Sequence, residues 1–303
     1  MTQRIRRSRR VQLAVPASSE KMMAKAAGSQ ADHVFLDLED SVAPREKVNA
    51  RAKAIEALRT HDWTGKVRCV RINDLGTEWA YGDIIDVVEK AHDHLDTLML
   101  PKARSAADVL FVDTLLTQIE KKLGLDRRIG IEVLIEEVEG MLNVEAIATA
   151  SPRLESLIFG MGDYSASQGI DPTVIAGTSP YPGDPWHYGR WKIAIAARAA
   201  GVDAIDGPFP GLRDVERYTE ECRRGLLLGF VGKWALHPAQ IEPALAVFTP
   251  DAEAVAKARR MVEGYRAAEA EGLGAVAIEG EMVDAASVRM VQDMLRRAEA
   301  AGM

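Results

Sequence analysis

The sequence has few cysteines and no excess of positive charge, and both absences narrow its class. Among 303 residues only Cys69 and Cys222 are cysteines, and they fit no zinc or redox spacing. This usage predicts the reduced cytoplasm as the location of the protein. The formal net charge is −7, so a general affinity for nucleic acid is not expected.

Long hydrophobic runs and nucleotide-binding motifs are also missing. No apolar stretch approaches the roughly 18 residues that a membrane-spanning helix needs, so no membrane partner is predicted. Gly160-Met-Gly162 lacks the further glycine of a dinucleotide fingerprint, and no phosphate loop with Gly-Lys-Ser/Thr is present. The basic stretch from Arg4 to Arg10 precedes no signal-type apolar region. We interpret it as a solvated arm or, alternatively, as an extra contact for an anion.

Short apolar runs alternate with helix-like segments along most of the chain. The composition, 47% hydrophobic and 27% charged, is that of a globular protein with a sizeable core. Runs rich in Val, Ile and Leu without strict alternation suit strands buried on both faces. Eight repetitions predict an α/β TIM (β/α)8 barrel, with an open doubly wound sheet as the alternative. The runs occupy residues 11–15, 34–38, 67–72, 97–100, 129–135, 157–161, 204–205 and 231–236.

The organisation of the chain changes after the eighth run. Residues 251–271 and 285–300 have helical patterns, and residues 272–281 between them are β-like. We therefore predict a barrel domain over residues 1–248 and a small C-terminal α-rich domain over residues 249–303. The Pro- and Gly-rich residues 177–186 are expected to form a loop that helps to cover the barrel mouth.

Polar side chains follow the predicted strands, at the mouth where barrel enzymes carry their catalytic residues. Glu136 and Asp163 follow consecutive strands and predict a Mg²⁺ site, because Mg²⁺ is usually held by one or two carboxylates plus substrate oxygens and water. Arg71 offers a bidentate fork for a substrate carboxylate. The other polar residues at strand ends are Asp37, Glu39, Asp40, Asn73, Lys102, Asp206 and His237.

Structural alternatives stay open for these residues at this stage. Glu137 competes with Glu136 as the ligand, and Asp163 is also a plausible cap of the following turn. Arg71 is also a candidate ion-pair partner of the acids that follow strand two. Asp206 is equally well explained as part of a turn.

Six longer motifs are spread in one order over nearly the whole chain. They are Phe35-Leu-Asp-Leu-Glu-Asp-Ser-Val-Ala-Pro44, Val70-Arg-Ile-Asn73, Met99-Leu-Pro-Lys102, Glu132-Val-Leu-Ile-Glu136, Asp206-Gly-Pro-Phe209 and Gly232-Lys-Trp-Ala-Leu-His-Pro238. Together they resemble the HpcH/HpaI aldolase and citrate lyase β-subunit-like family of CoA-ester lyases. Within that family the likeness is greatest to the malyl-CoA/β-methylmalyl-CoA lyases.

The resemblance implies a TIM-type barrel with a C-terminal lid, assembled as a homotrimer or a hexamer. Glu136 and Asp163 match the family's Mg²⁺ ligands, with Mn²⁺ as an alternative cation. Arg71 matches the arginine that binds the keto-acid or acyl oxygen. Asp284 matches the catalytic acid of the lid, which reaches the active site of an adjacent subunit; from the residues alone it is a helix N-cap.

The resemblance also implies a reaction and a set of CoA contacts. The expected reaction is reversible Claisen-type cleavage of L-malyl-CoA or β-methylmalyl-CoA to glyoxylate and acetyl-CoA or propionyl-CoA. Alternatives are a citramalyl-CoA lyase that yields pyruvate, a malyl-CoA thioesterase and a non-catalytic CoA-binding subunit.

The predicted cofactor-binding residues are Lys25, Lys47, Arg51, Glu39 and Asp40, with a solvated helix face as the alternative for each basic one. One departure from the family pattern lies in the first loop. Pro16-Ala-Ser-Ser19 replaces the commoner Pro-Gly-Ser/Asn-Arg turn, so one expected phosphate contact is missing.

Overall fold

Eight parallel strands close into a barrel, in which each strand pairs with the next and β8 pairs with β1. The computed structural model describes residue 5, residues 7–175 and residues 181–303. The predicted TIM barrel is therefore confirmed and the open sheet is excluded. The strands are β1 (Val11–Pro16), β2 (His33–Asp37), β3 (Val67–Arg71), β4 (Thr97–Leu100), β5 (Gly130–Ile135), β6 (Leu154–Phe159), β7 (Asp203–Asp206) and β8 (Gly232–Ala235).

Helices follow the strands and cover the outside of the barrel, as right-handed βα units require. The described part of residues 177–186, which is 181–186, contains no helix or strand, and 177–180 lie outside the described residues. The helices of this part of the chain are α1 (Glu20–Ala27), α2 (Lys47–Thr60), α3 (Ala80–Ala91), α4 (Ala106–Leu123), α5 (Val138–Leu142), α6 (Val144–Thr149), α7 (Met161–Gln168), α8 (Pro172–Ile175), α9 (His187–Ala200), α10 (Val215–Leu227) and α11 (Ile241–Phe248).

Local sequence signals fix where several helices begin and end. Ser105 and Asp108 form a capping box at the start of α4, so two backbone N–H groups without helical partners are satisfied. Gly124 ends the same helix at φ 66°, a left-handed conformation that glycine adopts without steric cost. The chain can therefore turn directly from α4 towards β5.

The side chains inside the barrel are arranged in layers. The middle layer is an apolar cluster of Phe35, Cys69, Met99, Leu134, Ile158, Ile205 and Trp234. Polar groups lie on both sides of it, near the first residues of the strands at the base and after their last residues at the mouth. This arrangement follows the alternation of inward and outward side chains along each strand, because residues two apart share a face.

The base of the barrel is built around Glu132, which is fully buried. Its carboxylate accepts hydrogen bonds from Gln12 at 2.8 Å, Thr97 at 2.9 Å and Ser156 at 3.2 Å. His33 Nε2 lies 2.9 Å from the same group. Donors from the first, second, fourth and sixth strands therefore converge on one acid of the fifth.

Arg7, Arg9 and Arg10 of the basic N-terminal stretch close this base, so the interpretation as a solvated arm is wrong for them; Arg4 and Arg6 lie outside the described residues. Arg9 is 2% exposed. Its guanidinium pairs with Glu132 at 3.3 Å, with Asp203 at 3.2 Å and with Glu155. Arg10 also pairs with an acid at the base. Its guanidinium lies 2.7 Å from Asp32, the residue before β2. Buried acids demand paired cations, and the arm supplies them.

The chain forms two compact units, residues 1–245 and residues 246–303. In the second unit α12 (Ala252–Ala270), the antiparallel hairpin of β9 (Ala275–Ile278) and β10 (Glu281–Asp284), and α13 (Ala285–Ala300) share a small core. Its buried residues are Val262, Tyr265, Val283 and Val288. No helix of the described residues is long and apolar enough to cross a membrane.

Replacing Glu132 by Gln should destabilise the barrel by roughly 3 kcal/mol, because Arg9 then loses one of its buried counter-charges. Contacts with Arg9 and His33 outweigh burial and hold the pKa of Glu132 below its ordinary value. The carboxylate's stabilisation is thus fully present above the unfolded pKa of about 4.3 and is lost as the pH falls through the folded pKa. Urea unfolding followed by circular dichroism at pH 7 and at pH 4 measures both effects.

The matched control is Glu279→Gln, which removes an exposed partner of Arg260 in the second unit. This change should leave the pH 7 transition where it is, since exposed ion pairs contribute little. Equal urea midpoints for Glu132→Gln and the control would show that the stability of the barrel does not depend on the charge of Glu132.

Candidate active site at the barrel mouth

Arg71 is the last residue of β3, and its neighbours on β2 fix its orientation. Its Nε and Nη2 donate to the two Asp37 carboxylate oxygens at 2.6 and 2.7 Å, a bidentate pair. Although burial favours the neutral acid, the guanidinium lowers the pKa of Asp37 to about 2. Arg71 Nη1 points towards Glu39 at 3.1 Å and Asp40 at 3.6 Å. The expected ion pair with these acids exists, so carboxylates contact Nε, Nη1 and Nη2 of the guanidinium.

Aromatic rings below the guanidinium complete its support. Arg71 Cζ lies 5.5 Å from the Trp234 ring centre and 5.9 Å from that of Phe35. Both rings belong to the apolar middle layer, so the guanidinium packs on the side of that layer that faces the mouth. A guanidinium held by carboxylates and by one face is fixed in orientation at the end of β3.

Glu136 follows β5 directly and is 1% exposed. The backbone N–H of Lys102 donates to Oε1 at 2.9 Å. Burial, strengthened by the charge of Asp163 and opposed by Arg71 and Lys102, raises the pKa of Glu136 to about 8. Glu137, the competing candidate, instead binds Arg104 and Ser167 through its carboxylate. Glu136 is therefore the carboxylate that faces the mouth.

Asp163 lies in the first turn of α7, directly after β6, and its side chain is 47% exposed. Its charge is close enough to raise the pKa of Glu136, and its Oδ2 lies 4.0 Å from Lys102 Nζ. Gly160, at the end of β6, makes room between the two acids. A Cβ there would lie 2.5 Å from Glu136 Oε2, closer than real Cβ contacts allow. The turn needs glycine because a carboxylate occupies that space.

Lys102 connects the acids of this mouth. Its φ is 50°, a left-handed conformation that costs a non-glycine residue about 1–2 kcal/mol. Its ammonium donates to Glu39 and lies 3.2 Å from Asp40 Oδ1. Burial opposes this charge, but the surrounding acids raise the pKa of Lys102 above its ordinary value.

The donor set at Glu136 and Asp163 fits a hard divalent cation. One carboxylate is buried with a raised pKa and the other is half exposed, so a cation bound between them would neutralise the first and still keep water ligands. A second cluster, His33, Cys69 and Glu132 at the base, does not fit. Its possible ligand atoms lie within 4.8 Å of one another, but Glu132 already accepts from five groups, including Arg9. Burial also raises the thiol pKa of Cys69.

The three basic residues predicted to bind CoA lie in different surroundings. Lys25 is exposed near the end of α1. Lys47 is buried and donates to the backbone oxygens of Leu38 and Glu39 at 2.9 and 2.6 Å. Arg51 binds acids of α3, the helix beside it, at 2.8 and 2.9 Å. Lys47 thus supports the β2–α2 loop, Arg51 joins α2 to α3, and Lys25 is the one of the three that faces solvent.

Asp284 ends β10 and caps α13. Its carboxylate accepts from the backbone N–H of Ser287 at 2.8 Å and from the Ser287 hydroxyl at 2.9 Å. These hydrogen bonds lower the pKa of Asp284. The capping role expected from the residues alone is present, and the carboxylate is also exposed to solvent.

Two features of the mouth escaped sequence reasoning. Asp37 was noted at its strand end, but nothing singled it out as the partner that orients Arg71. The turn expected at Asp206 contains a buried ion-pair network, in which Asp206 binds Arg190 at 2.9 Å and Lys233 at 2.6 Å. The sequence signal for this network was the presence of Asp206 and Lys233 in the otherwise apolar runs of β7 and β8. A charge buried in such a run needs a partner of opposite charge.

A mainly apolar cavity of about 130 Å³ opens at Gly162, and its wall includes the charged residues Arg217 and Glu221. It lies between the segments that follow β6, β7 and β8, so it belongs to the mouth. Gly162, the residue before Asp163, contributes to its wall, and a Cβ at Gly162 would meet open space. The cavity is also lined by Met161, Trp186, Pro208, Phe209 and Leu236.

Comparison with known proteins places this arrangement among CoA-ester enzymes. The family model described as HpcH/HpaI aldolase/citrate lyase matches residues 10–238. An L-malyl-CoA/β-methylmalyl-CoA lyase of Cereibacter sphaeroides is 44% identical, over 97% of this chain and 95% of that protein. A (3S)-malyl-CoA thioesterase of the same species is 33% identical, over 95% of this chain and 94% of that protein.

A solved structure gives the same result for the fold. The protein CitE of Mycobacterium tuberculosis, in complex with magnesium, acetoacetate and coenzyme A, superposes with a TM-score of 0.70 at 32% identity. The match covers 95% of this chain and 97% of that chain.

Replacing Gly160 by Ala should weaken Mg²⁺ binding on the order of tenfold or more, because the new methyl group displaces the Glu136 carboxylate. The backbone itself tolerates Ala, since φ at Gly160 is −85°. Calorimetric titration with Mg²⁺ measures the affinity. The matched control is Gly162→Ala, whose methyl group meets open space and should leave the affinity unchanged. Equal affinities for both variants would mean that Glu136 is not a ligand.

Proposed function

Because the chain belongs to the HpcH/HpaI aldolase/citrate lyase family, we propose that it is a Mg²⁺-dependent CoA-ester lyase. Its reaction is the reversible cleavage of L-malyl-CoA or β-methylmalyl-CoA to glyoxylate and acetyl-CoA or propionyl-CoA. The observation that carries the proposal is the convergence of Glu136, Asp163 and the Asp37-oriented Arg71 at one mouth. The relative with 44% identity, named for these two substrates, supports the choice of acyl-CoA.

The geometry of the mouth suits a 2-oxo acid. Arg71 would bind its carboxylate, because a guanidinium matches a carboxylate in charge and in the direction of its hydrogen bonds. Glu136 and Asp163 would hold Mg²⁺, or Mn²⁺ in its place, and the bound cation would supply Lewis-acid polarisation of the oxo group. Arg71 would also stabilise the negative charge that develops on the bound 2-oxo acid beside its guanidinium.

Asp284 is the proposed acid–base group. In the condensation direction its carboxylate removes a proton from the α carbon of acetyl-CoA or propionyl-CoA, the resulting enolate attacks the oxo carbon, and the oxo oxygen takes a proton from solvent water. In cleavage the alcohol loses its O–H proton to solvent water as the carbonyl of glyoxylate forms, the electron pair of the broken C–C bond passes to the α carbon, and protonated Asp284 gives its proton to that carbon.

The mainly apolar cavity at Gly162 supports a branched as well as an unbranched acyl group. β-Methylmalyl-CoA carries one methyl group that malyl-CoA lacks, and that group needs a dry, apolar place. A cavity of about 130 Å³ at Gly162 offers it without displacing the acids. For the CoA phosphates we propose Lys25, because it is the exposed cation among the three basic residues predicted to bind CoA. Glu39 and Asp40 remain proposed cofactor-binding residues at the mouth.

We further propose that the protein is a cytoplasmic homotrimer or hexamer in which Asp284 serves the mouth of an adjacent subunit. The two cysteines are buried and unpaired, which supports a reducing environment. Residues 246–303 form a compact unit of their own, which supports a lid that acts as one body.

The second candidate function is a malyl-CoA thioesterase, favoured by the relative of that name at 33% identity. With Mg²⁺ and malyl-CoA, the purified protein should release glyoxylate and acetyl-CoA in equal amounts, detected by mass. Release of free malate and CoA would favour the thioesterase instead, and no reaction with either CoA ester would reject both. Pyruvate or glyoxylate offered with acetyl-CoA distinguishes citramalyl-CoA from malyl-CoA as the product.

Replacing Asp284 by Asn should lower kcat by roughly 10²–10⁴, because Asn keeps the helix cap but cannot carry the proton. Mg²⁺ affinity should stay at the wild-type value, since the ligands are elsewhere in the chain. Steady-state kinetics and calorimetry measure the two quantities. A variant with normal turnover would leave Asp284 as a cap only.

A mixed oligomer tests whether Asp284 acts between subunits. Arg71→Ala and Asp284→Asn chains are each expected to be inactive alone. Unfolded and refolded together, they should regain part of the activity, because some mouths then combine an intact Arg71 with an intact Asp284 of the neighbour. Failure to regain activity in a mixture proven to contain mixed oligomers would place both residues in one subunit's site.

A further inference from the structure

Four carboxylates gather at the barrel mouth, and they form two possible cation sites. Glu136 and Asp163 follow β5 and β6, and Glu39 and Asp40 follow β2. Both pairs combine one buried and one half-exposed acid, with side-chain exposures of 7% for Glu39 and 52% for Asp40. Oxygen donors of this kind suit a hard divalent cation in either pair, although Arg71 Nη1 also lies 3.1 Å from Glu39 and 3.6 Å from Asp40. Something in the chain must therefore decide which pair holds it.

Lys102 is placed where it can make that choice. Its ammonium donates to Glu39 and to Asp40, at 3.2 Å from Asp40 Oδ1. The same nitrogen lies 4.0 Å from Asp163 Oδ2. The Lys102 side chain is 17% exposed and that of Glu39 is 7% exposed, so this pair interacts through little water, whereas Asp40 and Asp163 are about half exposed. The ammonium thus occupies one acid pair and borders the other.

The backbone of Lys102 acts on the second pair at the same time. Its left-handed conformation, φ 50°, directs the N–H to Glu136 Oε1 at 2.9 Å. This leaves Oε2, which lies against Gly160, as the oxygen free to bind a cation. A non-glycine residue in this conformation at a cluster of acids points to a functional constraint rather than to loop geometry alone.

We propose that Lys102 is the positioning residue of the cation site: its ammonium fills the Glu39–Asp40 pair and directs the divalent cation to Glu136 and Asp163. The ammonium is an internal counter-ion, which keeps the acid cluster together when no metal is bound and repels a metal that enters beside it. Lys102 therefore lowers cation affinity at the mouth while it fixes the position of binding. This inference rests on the proposed function only for the identity of the two metal ligands.

The test compares the binding of Mn²⁺ by variants at position 102. Electron paramagnetic resonance measures the concentration of free Mn²⁺, and the bound amount is obtained from it. Lys102→Met removes the charge and should bind Mn²⁺ on the order of tenfold more tightly, with a second ion at the vacated acid pair. Lys102→Gly removes the charge and suits the left-handed backbone, so it should behave in the same way. Lys102→Arg keeps the charge and should retain the wild-type affinity and a single ion.

Thermal unfolding gives an independent readout that needs no activity. Without metal, Lys102→Met should melt below the wild type, because the four acids lose a counter-ion. Mn²⁺ should reduce or reverse this difference in melting temperature, since a cation that binds the native state more tightly stabilises it more. Adding Glu39→Gln to Lys102→Met should remove the second ion.

The outcomes separate this inference from the proposed function. If folded Lys102→Met and Lys102→Gly bind one Mn²⁺ with the wild-type affinity, or bind it more weakly, Lys102 does not direct the cation. If the wild type binds one Mn²⁺ and the variants behave as expected, but malyl-CoA is not cleaved, the inference stands and the substrate assignment fails. If the wild type binds no Mn²⁺, both are overturned.

Discussion

A carboxylate buried beside a second carboxylate is the constraint on which the rest of the mouth depends. Glu136 is almost fully buried, and its charged form is disfavoured until cations approach it. The neighbouring backbone accommodates this group through a glycine at position 160 and a left-handed residue at position 102. Both are costly or unusual choices elsewhere in a fold, and both become intelligible once the acid between them is treated as a ligand.

Two charged layers with opposite tasks are separated by an apolar one. At the base, Glu132 is matched by Arg9 and by uncharged donors, so the role of this layer is to stabilise the barrel. At the mouth, Asp163 remains half exposed and Glu136 has a raised pKa, so the layer can still take up a cation. This division agrees with the general rule that chemistry in such barrels sits at the C-terminal ends of the strands.

Much of the fold could be predicted from the sequence, because short apolar runs and helix caps are local signals. Each of the eight predicted runs overlaps a strand, and the last helix was predicted at residues 285–300, as found. The pairing of Glu136 with Asp163 at one mouth followed from strand order alone. Lys47, Arg51 and Arg9 were harder, since a basic side chain looks the same in sequence whether it meets solvent or a buried acid. Their partners lie on other strands and helices, and only barrel closure brings them together.

The arginines that seal the base also set an order of assembly. Arg9 precedes the first strand, yet its acidic partners lie on the fifth, sixth and seventh, and Asp203 is 194 residues away along the chain. At synthesis rates of roughly 5–20 residues per second, the N-terminal segment leaves the ribosome many seconds before those strands exist. A nascent chain therefore carries Arg9 without its Asp203 partner until the seventh strand emerges, and a translation product that ends before the fifth strand leaves Arg9 without any of these three acids.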